Sequence, residues 1–203
     1  MCDHHGVRCR EHQRPGRDRP VGGRVRRGGH RPVHHPGAAL AGANPIVAID
    51  LFDNRLDLAR SLGATHTINS RSADVAEALA GIVGGDGVDV AIDNTGNVEV
   101  IALASRLTSG RGRTVLVGVP PKGATAAIST LPLHFEKRLV GSHGGESRPE
   151  VDIPRYVRLV EDGRLALAGV VGRRYALDEI NTAIDDMTSG RLAGRAIVRL
   201  ADA

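Results

Sequence analysis

The sequence predicts an α/β protein built on a doubly wound parallel sheet, and three observations carry this prediction. Short apolar runs recur along the chain, as at residues 45–50 and 88–93. Stretches with helical spacing of apolar positions separate these runs, and Gly, Asn and Asp stand at the junctions. Strands that alternate with helices are typical of βαβ units, in which the strands lie parallel in one sheet.

The individual elements follow from the same pattern. Five strands are expected at residues 45–50, 65–69, 88–93, 113–119 and 138–143. Three helices are expected between them, at residues 53–62, 73–83 and 97–107. Later in the chain the pattern changes to amphipathic helices at 153–163 and 177–190, with strands at 170–175 and 195–200.

Residues 1–36 differ in composition from the rest of the chain. They contain nine Arg, no Lys, six of the nine His and both Cys, and they have neither an apolar run nor a strand or helix period. The basic pI therefore comes from one end of the chain. We expect three regions: a disordered segment at 1–36, a partial α/β domain at 37–145, and further helices and strands at 146–203.

The expected binding edge of the sheet is marked by Asp50. Ligands of open α/β sheets bind at the carboxyl ends of the strands, and a carboxylate there suits the ribose hydroxyls of NAD while it repels the 2′-phosphate of NADP. Taken alone, Asp50 is explained equally well as a solvated residue before a helix. Arg55 and the small or polar segments 94–96 and 117–120 recur at the same edge. The sequence therefore predicts a dinucleotide site.

Six segments together resemble the C-terminal portion of a zinc-type alcohol dehydrogenase of the medium-chain dehydrogenase/reductase family. They are GAALAGA (37–43), VAIDLFDNRLDLARSLGATHTIN (47–69), DVAIDNTGN (89–97), GRTVLVGVPP (112–121), LVGSHGG (139–145) and ALDEINTAIDDMTSGRLAGRAIV (176–198). The resemblance implies a Rossmann domain, NAD as cofactor, and hydride transfer between an alcohol and an aldehyde or ketone.

The resemblance also implies residue roles. Asp50 and Arg55 are expected to hold the adenosine ribose, and Arg195 to reach the pyrophosphate, with a solvated charge beside a terminal strand as the alternative for Arg195. The nicotinamide pocket is expected to be lined by Thr95, Val117 and Val119, and Gly118 counts among the cofactor-binding residues.

The glycine turn of this family cannot be read in the chain. A Gly-x-Gly-x-x-Gly turn binds pyrophosphate between the first strand and the first helix, but residues 24–33 read RVRRGGHRPV. Codons can be chosen for residues 21–33 that give a different peptide when they are read one base later. This shifted reading is Ser-Val-Ala-Val-Phe-Gly-Ala-Gly-Gly-Ile-Gly-Leu-Ser, an apolar strand followed by a glycine turn. We therefore interpret residues 1–36 as an out-of-frame translation and expect an inactive fragment.

Two other interpretations of residues 1–36 stay open. A zinc site could be formed by Cys2, His4, His5, Cys9 and His12, although their spacing matches no structural zinc finger. The arginines could bind nucleic acid electrostatically, although the segment has no aromatic residue for stacking on bases.

We assign no catalytic and no metal-binding residue. In the family, zinc held by two cysteines and a histidine polarises the alcohol oxygen, and these ligands precede the part that this chain resembles. His134 and His143 have no metal-binding partner at a useful spacing, so a polar or packing role is expected for both. A zinc-free quinone reductase relative is the enzymatic alternative, and a non-catalytic module with a basic nucleic-acid-binding arm is the other.

On the out-of-frame interpretation, the sheet lacks its first strand. Five buried apolar side chains of such a strand contribute about 10 kcal/mol, and net domain stability is only about 5 to 15 kcal/mol. We therefore expect poor solubility and no NAD binding. The resemblance further implies an alcohol or aldehyde substrate and a homo-oligomer with a contact at 126–135. The sequence has no stretch typical of a membrane span or a secretory signal, so we expect a cytoplasmic location and no membrane association.

Overall fold

The fold is known from a computed structural model, which describes residues 22–24, 34–167 and 169–200. A six-stranded parallel sheet is formed by β1 (Gly22–Arg24), β2 (Ile46–Asp50), β3 (His66–Asn69), β4 (Val88–Asp93), β5 (Thr108–Leu116) and β6 (Arg138–Gly141). The strand order is β3-β2-β1-β4-β5-β6, so the order reverses between β1 and β4. This is the strand order of a Rossmann sheet, and the α/β prediction is confirmed.

The centre of the sheet holds a strand that the sequence analysis did not predict. Residues Gly22–Arg24 pair with β2, and Gly22 also aligns with Val90 of β4. The expectation of a sheet that lacks its first strand was therefore wrong. The three residues are Gly-Gly-Arg, without an apolar pattern, and backbone pairing with a strand on either side is what places them.

The described part of the chain contains six α-helices. They are α1 (His34–Leu40), α2 (Asp53–Ser61), α3 (Val75–Val83), α4 (Val98–Leu107), α5 (Pro149–Glu161) and α6 (Ile180–Thr188). The first of these helices begins before residue 37, and its His35 and Pro36 are buried. The compositional boundary after residue 36 therefore falls inside a helix.

Two side-chain caps explain where two of the helices begin. The Asp74 carboxylate accepts a hydrogen bond from the Glu77 N–H at the start of α3. The Asn97 side chain accepts from the N–H groups of Glu99 and Val100 at the start of α4. These bonds satisfy N–H groups that have no partner within the helix, which is why both helices begin at those positions.

The core lies on both faces of the sheet, and β2 contributes to each. All five residues of β2 are buried, because successive side chains of a central strand point to opposite faces. One face packs with α3 and α4, through Val47, Ile49, Ile68, Leu79, Val88, Ala91, Val100 and Ala104. The other packs with α1 and α2, through Ile46, Ala48, Leu56, Ala59 and Ala64.

A second, smaller sheet follows α5. Its strands are β7 (Val171–Ala176) and β8 (Arg195–Arg199), which pair in parallel and are connected through α6. Apolar side chains of α5 remain exposed, among them Ile153, Tyr156 and Val157. No helix in the described ranges is both long and apolar enough to cross a membrane.

The predicted elements are found in order, with small differences at their ends. The largest difference is in the strand predicted at 113–119, which begins at Thr108 and ends at Leu116. The N–H groups of Val117 and Gly118 both donate to the Asp93 carbonyl, at 2.8 and 3.0 Å. The chain therefore turns towards β4 immediately after Leu116 and leaves the strand.

Candidate functional site

The carboxyl ends of three strands bring the predicted site residues to one edge of the six-stranded sheet. Asp50 ends β2, Asp93 ends β4, and segment 117–120 follows β5. All of these strands run parallel, so their carboxyl ends share an edge. The strand order reverses between β1 and β4, and in open α/β sheets ligands bind at that point.

Asp50 and Arg55 form a buried ion pair at this edge. The Asp50 Oδ1 lies 3.8 Å from Arg55 Nη1, and the two side chains are only 4 % and 7 % exposed. The same oxygen accepts the N–H groups of Leu51 and Phe52, at 2.8 and 3.3 Å. The carboxylate therefore organises the turn between β2 and α2, and Arg55 reaches it from the first turn of α2.

The space beside this ion pair is small. His35 of α1 lines it together with Asp50 and Arg55, and the cavity measures about 10 Å³. That volume is at the lower limit for a single water molecule.

Phe52 is a further residue of this turn, which the sequence analysis did not single out. The guanidinium carbons of Arg55 and Arg71 lie 4.6 and 4.4 Å from the centre of its ring. A Cβ on Gly190 would lie 2.3 Å from the ring, so the backbone of the C-terminal segment packs directly on Phe52. Arg71 and Gly190 are distant in sequence, and no local pattern indicates these contacts.

Asp93 orders the loop after β4, and sequence analysis missed this role too. The carboxylate is fully buried. Its Oδ1 accepts from the N–H and the hydroxyl of Thr95, and its Oδ2 accepts from the Gly96 N–H. An Asp two residues before a Thr at a strand end is the available sequence signal, because Asp often bonds to N–H groups that follow it in a turn.

The loops after β4 and β5 are in direct backbone contact. A Cβ on Gly118 would lie 2.1 Å from the Gly96 nitrogen, and one on Gly96 would lie 2.3 Å from the Val119 carbonyl oxygen. Thr95 and Val117 are half-buried in this contact, and the Val119 side chain is 87 % exposed. The structure thus brings Thr95, Val117, Gly118 and Val119 together, and their role in lining a nicotinamide pocket stays a prediction.

Arg195 is carried by a different sheet from the other predicted site residues. It opens β8, its side chain is exposed, and its N–H donates to the Val170 carbonyl at 2.7 Å. A Cβ on Gly194 would lie 2.6 Å from the same carbonyl oxygen, so close backbone approach sets the start of β8. The pyrophosphate role of Arg195 stays a prediction.

A buried carboxylate holds the C-terminal elements together. Asp186 of α6 accepts hydrogen bonds from the Tyr175 hydroxyl at 2.9 Å, Arg191 Nε at 2.6 Å and Arg173 Nη1 at 3.1 Å. The bonds from Arg191 and Tyr175 lower the pKa of Asp186. Burial is the main cause that raises the pKa of Tyr175, with the bond to Asp186 second.

A metal site is not indicated in the described part of the chain. No group of three or more His, Cys, Asp or Glu side chains among residues 22–24, 34–167 and 169–200 is arranged to hold an ion. His134 and His143 are both exposed. Cys2, His4, His5, Cys9 and His12, and most of the arginine-rich segment, lie outside the described residues.

Comparison with known proteins identifies relatives for most of the chain. Residues 36–162 match the family model described as zinc-binding dehydrogenase. Alcohol dehydrogenase 1 of Oryza sativa subsp. indica is 37 % identical over 169 residues, which is 81 % of this chain and 44 % of that protein. The chain thus spans less than half the length of this curated relative.

Solved structures agree in fold. The crystal structure of benzyl alcohol dehydrogenase from Acinetobacter calcoaceticus matches with a TM-score of 0.80 and 33 % identity, covering 90 % of this chain and 51 % of that one. A Sinorhizobium meliloti structure, assigned as a zinc-binding dehydrogenase and bound to NADP, matches with a TM-score of 0.76 and 29 % identity, over 90 % of this chain and 53 % of that one. None of these three relatives is named a quinone reductase.

Proposed function

Because the chain belongs to the zinc-binding dehydrogenase family, we propose that it provides the NAD-binding part of an alcohol dehydrogenase. Members of this family are oxidoreductases, and its alcohol dehydrogenases interconvert alcohols with aldehydes or ketones. The observation that carries the proposal is the position of Asp50. This carboxylate ends β2, one strand away from the reversal of strand order, where a dinucleotide ribose binds in Rossmann sheets.

The described residues fit the two ends of a dinucleotide. Asp50 and Arg55 would hold the adenosine ribose, since the carboxylate accepts hydrogen bonds from ribose hydroxyls. Thr95 and the apolar Val117 and Val119 would line the nicotinamide pocket beside Gly118. When bound, the nicotinamide ring supplies the hydride acceptor. The side chains of this chain bind and orient it.

We propose that the chain by itself does not oxidise alcohols. Alcohol activation in this family depends on zinc, and the described residues offer no group of ligands for it. The near-complete burial of the Asp50 and Arg55 side chains adds a second obstacle, because a ribose must displace part of the surrounding packing to contact them. We therefore expect weak NAD binding, in place of the complete loss that a split sheet would cause.

Isothermal titration calorimetry with NAD and with NADP tests the cofactor proposal. The wild-type chain should bind NAD more tightly than NADP, because the Asp50 carboxylate repels the 2′-phosphate. Asp50→Asn should reduce the ratio of the NADP and NAD dissociation constants about tenfold, equivalent to about 1.4 kcal/mol. Asp53→Asn, with the same change of charge at an exposed neighbour, is the matched control. Equal affinities in the wild-type chain, or the same narrowing in both variants, would refute the proposal.

Absence of turnover is tested separately. The purified chain, supplied with NAD, Zn²⁺ and a short alcohol such as benzyl alcohol, should form no NADH above the rate without protein. Alcohol-dependent NADH formation would contradict the proposed inactivity and leave the cofactor proposal intact.

The out-of-frame origin of residues 1–36 is also a proposal. In the shifted reading, Val-Ala-Val stands at residues 22–24, where β1 occupies the centre of the sheet. The observed strand thus coincides with the position at which the alternative frame can encode an apolar strand. Resequencing the gene across codons 30–40 separates two origins: an extra base near codon 37 would indicate a full-length dehydrogenase misread at its start, and the unchanged sequence would indicate a truncated, inactive remnant.

The remaining properties rest on the family and the sequence. We propose a homo-oligomer, for which the exposed Leu131 and Phe135, in the segment that precedes edge strand β6, provide apolar contact surface. Light scattering of the purified chain measures the oligomeric state. We also propose an alcohol or aldehyde substrate, from the same resemblance, and a cytoplasmic location, as the sequence analysis expects.

A further inference from the structure

The turn between β2 and α2 is not held by a side-chain cap of its own. Phe52 occupies the cap position of α2, and its side chain makes no capping hydrogen bond. The first turn of a helix has N–H groups without partners in the helix, so an uncapped start is easily frayed. Asp50 and Arg55 lie on either side of this start, and their ion pair depends on its geometry.

Asn54 connects this turn to a distant part of the chain. Its side-chain nitrogen Nδ2 donates to the carbonyl oxygens of Gly190 at 3.0 Å and Arg191 at 3.1 Å. The two acceptors lie 136 and 137 residues further along the chain. A carboxamide carries two N–H donors, so one side chain can hold two successive carbonyl groups.

The same loop contacts the turn through an apolar surface. Gly190 has a φ of 80°, and a Cβ there would meet the Phe52 ring at 2.3 Å. Gly190 is buried by this packing. The loop therefore touches both the residue at the cap position and the second residue of α2.

The opposite side of the loop is anchored in the C-terminal unit. The Arg191 guanidinium donates to Asp186, and the Leu192 N–H donates to the Asp186 carbonyl at 3.0 Å. Asp186 in turn accepts from the Tyr175 hydroxyl on β7. A continuous series of hydrogen bonds thus runs from β7 and α6 through the loop to the start of α2.

We propose that Asn54 is a positioning residue for the adenosine ribose site, and that it fixes the β2–α2 turn by binding the C-terminal loop at Gly190 and Arg191. It acts through the turn and does not touch the nucleotide itself. The proposal rests on the proposed function for its effect on binding, but its structural part does not depend on a cofactor.

The structural part is tested by amide hydrogen exchange in the apo chain. The N–H groups of Leu51 and Phe52, which bond to Asp50, report directly on the turn. Asn54→Ala removes the donor, and Asn54→Asp removes it at nearly constant size, so agreement between the two variants excludes an effect of charge. Both should speed the exchange of these two amides about tenfold or more, equivalent to about 1.4 kcal/mol.

Two further variants separate positioning from a general loss of structure. Asn54→Gln keeps the carboxamide and should restore slow exchange in part. Asn181→Ala, at an exposed position on α6, is the matched control and should leave the amides of Leu51 and Phe52 unchanged. If the Asn54 variants leave the exchange of the Leu51 and Phe52 amides unchanged and speed exchange only at residues 190–194, Asn54 merely holds the C-terminal loop. That result would overturn the proposal.

The functional part is tested with AMP and nicotinamide mononucleotide, which probe the two ends of the dinucleotide separately. Asn54→Ala should weaken AMP binding about tenfold and leave the affinity for nicotinamide mononucleotide unchanged. Unchanged AMP affinity despite faster exchange would overturn the proposal. If the wild-type chain binds neither probe, the proposed function fails, while the exchange result still decides whether Asn54 positions the turn.

Discussion

Thr95 donates its hydroxyl to the Asp93 carboxylate across 2.6 Å, and this bond links the end of β4 to the loop that follows it. The Thr95 N–H donates to the same oxygen, and the Gly96 N–H donates to the other. Asp93 is fully buried, so these donors replace the water that an exposed carboxylate would bind. One buried acidic side chain thus orders the loop that would face a nicotinamide.

Asp93→Asn should destabilise the chain. The amide has only one acceptor oxygen, so its NH₂ group must face an N–H or hydroxyl donor in a site that water cannot reach. We expect the free energy of unfolding to fall by about 1 to 3 kcal/mol, as measured by urea denaturation. Asp86→Asn, in the turn before the same strand, is exposed and should stay within about 0.5 kcal/mol. Equal losses in the two variants would contradict the role given to Asp93.

Gly118→Ala should separate the loops after β4 and β5. The added Cβ would lie 2.1 Å from the Gly96 nitrogen, and backbone on both sides leaves no flexible atom to yield. We expect a loss of about 1 to 3 kcal/mol from overpacking, together with weaker NAD binding.

Gly110→Ala is the matched control for this variant. A Cβ on Gly110 meets nothing within 4 Å, so the stability of the Gly110→Ala chain should equal or slightly exceed that of the wild-type chain. Thermal unfolding of both variants provides the comparison. A Gly118→Ala chain as stable as the control would show that the two loops can separate at no cost.

Asp186 should make stability depend on acidic pH. Its pKa is lowered in the folded chain, chiefly by the hydrogen bonds from Arg191 and Tyr175. A carboxyl group with a lowered folded-state pKa contributes stability that is fully present above its unfolded value, about 3.9. This contribution is lost as the pH falls below that value through the folded-state pKa.

Urea denaturation between pH 6 and pH 2 measures this dependence. The wild-type chain should lose more stability over this interval than Asp186→Asn, which has no carboxyl group to protonate at this site. Asp185→Asn, one residue away and exposed, should retain the wild-type pH dependence. A parallel decline in the wild-type chain and Asp186→Asn would contradict the assignment.

Local sequence pattern determined most of the architecture. The run at β2 is apolar and short, and the pattern around α2 has the period of a helix, so both follow from the spacing of their own residues. The position of Asp50 at the end of β2 likewise required only the strand boundary and the rule that ligands bind at carboxyl ends. These features are local, and a sequence shows local features directly.

Tertiary structure decided what depends on distant neighbours. Gly22–Arg24 have no strand pattern of their own and become β1 because β2 and β4 offer backbone partners on both sides. Asn54 contacts Gly190 and Arg191 only because the C-terminal loop packs against the start of α2. Hydrogen bonds and packing across more than a hundred residues leave no periodic signal, because they depend on the path of the whole chain.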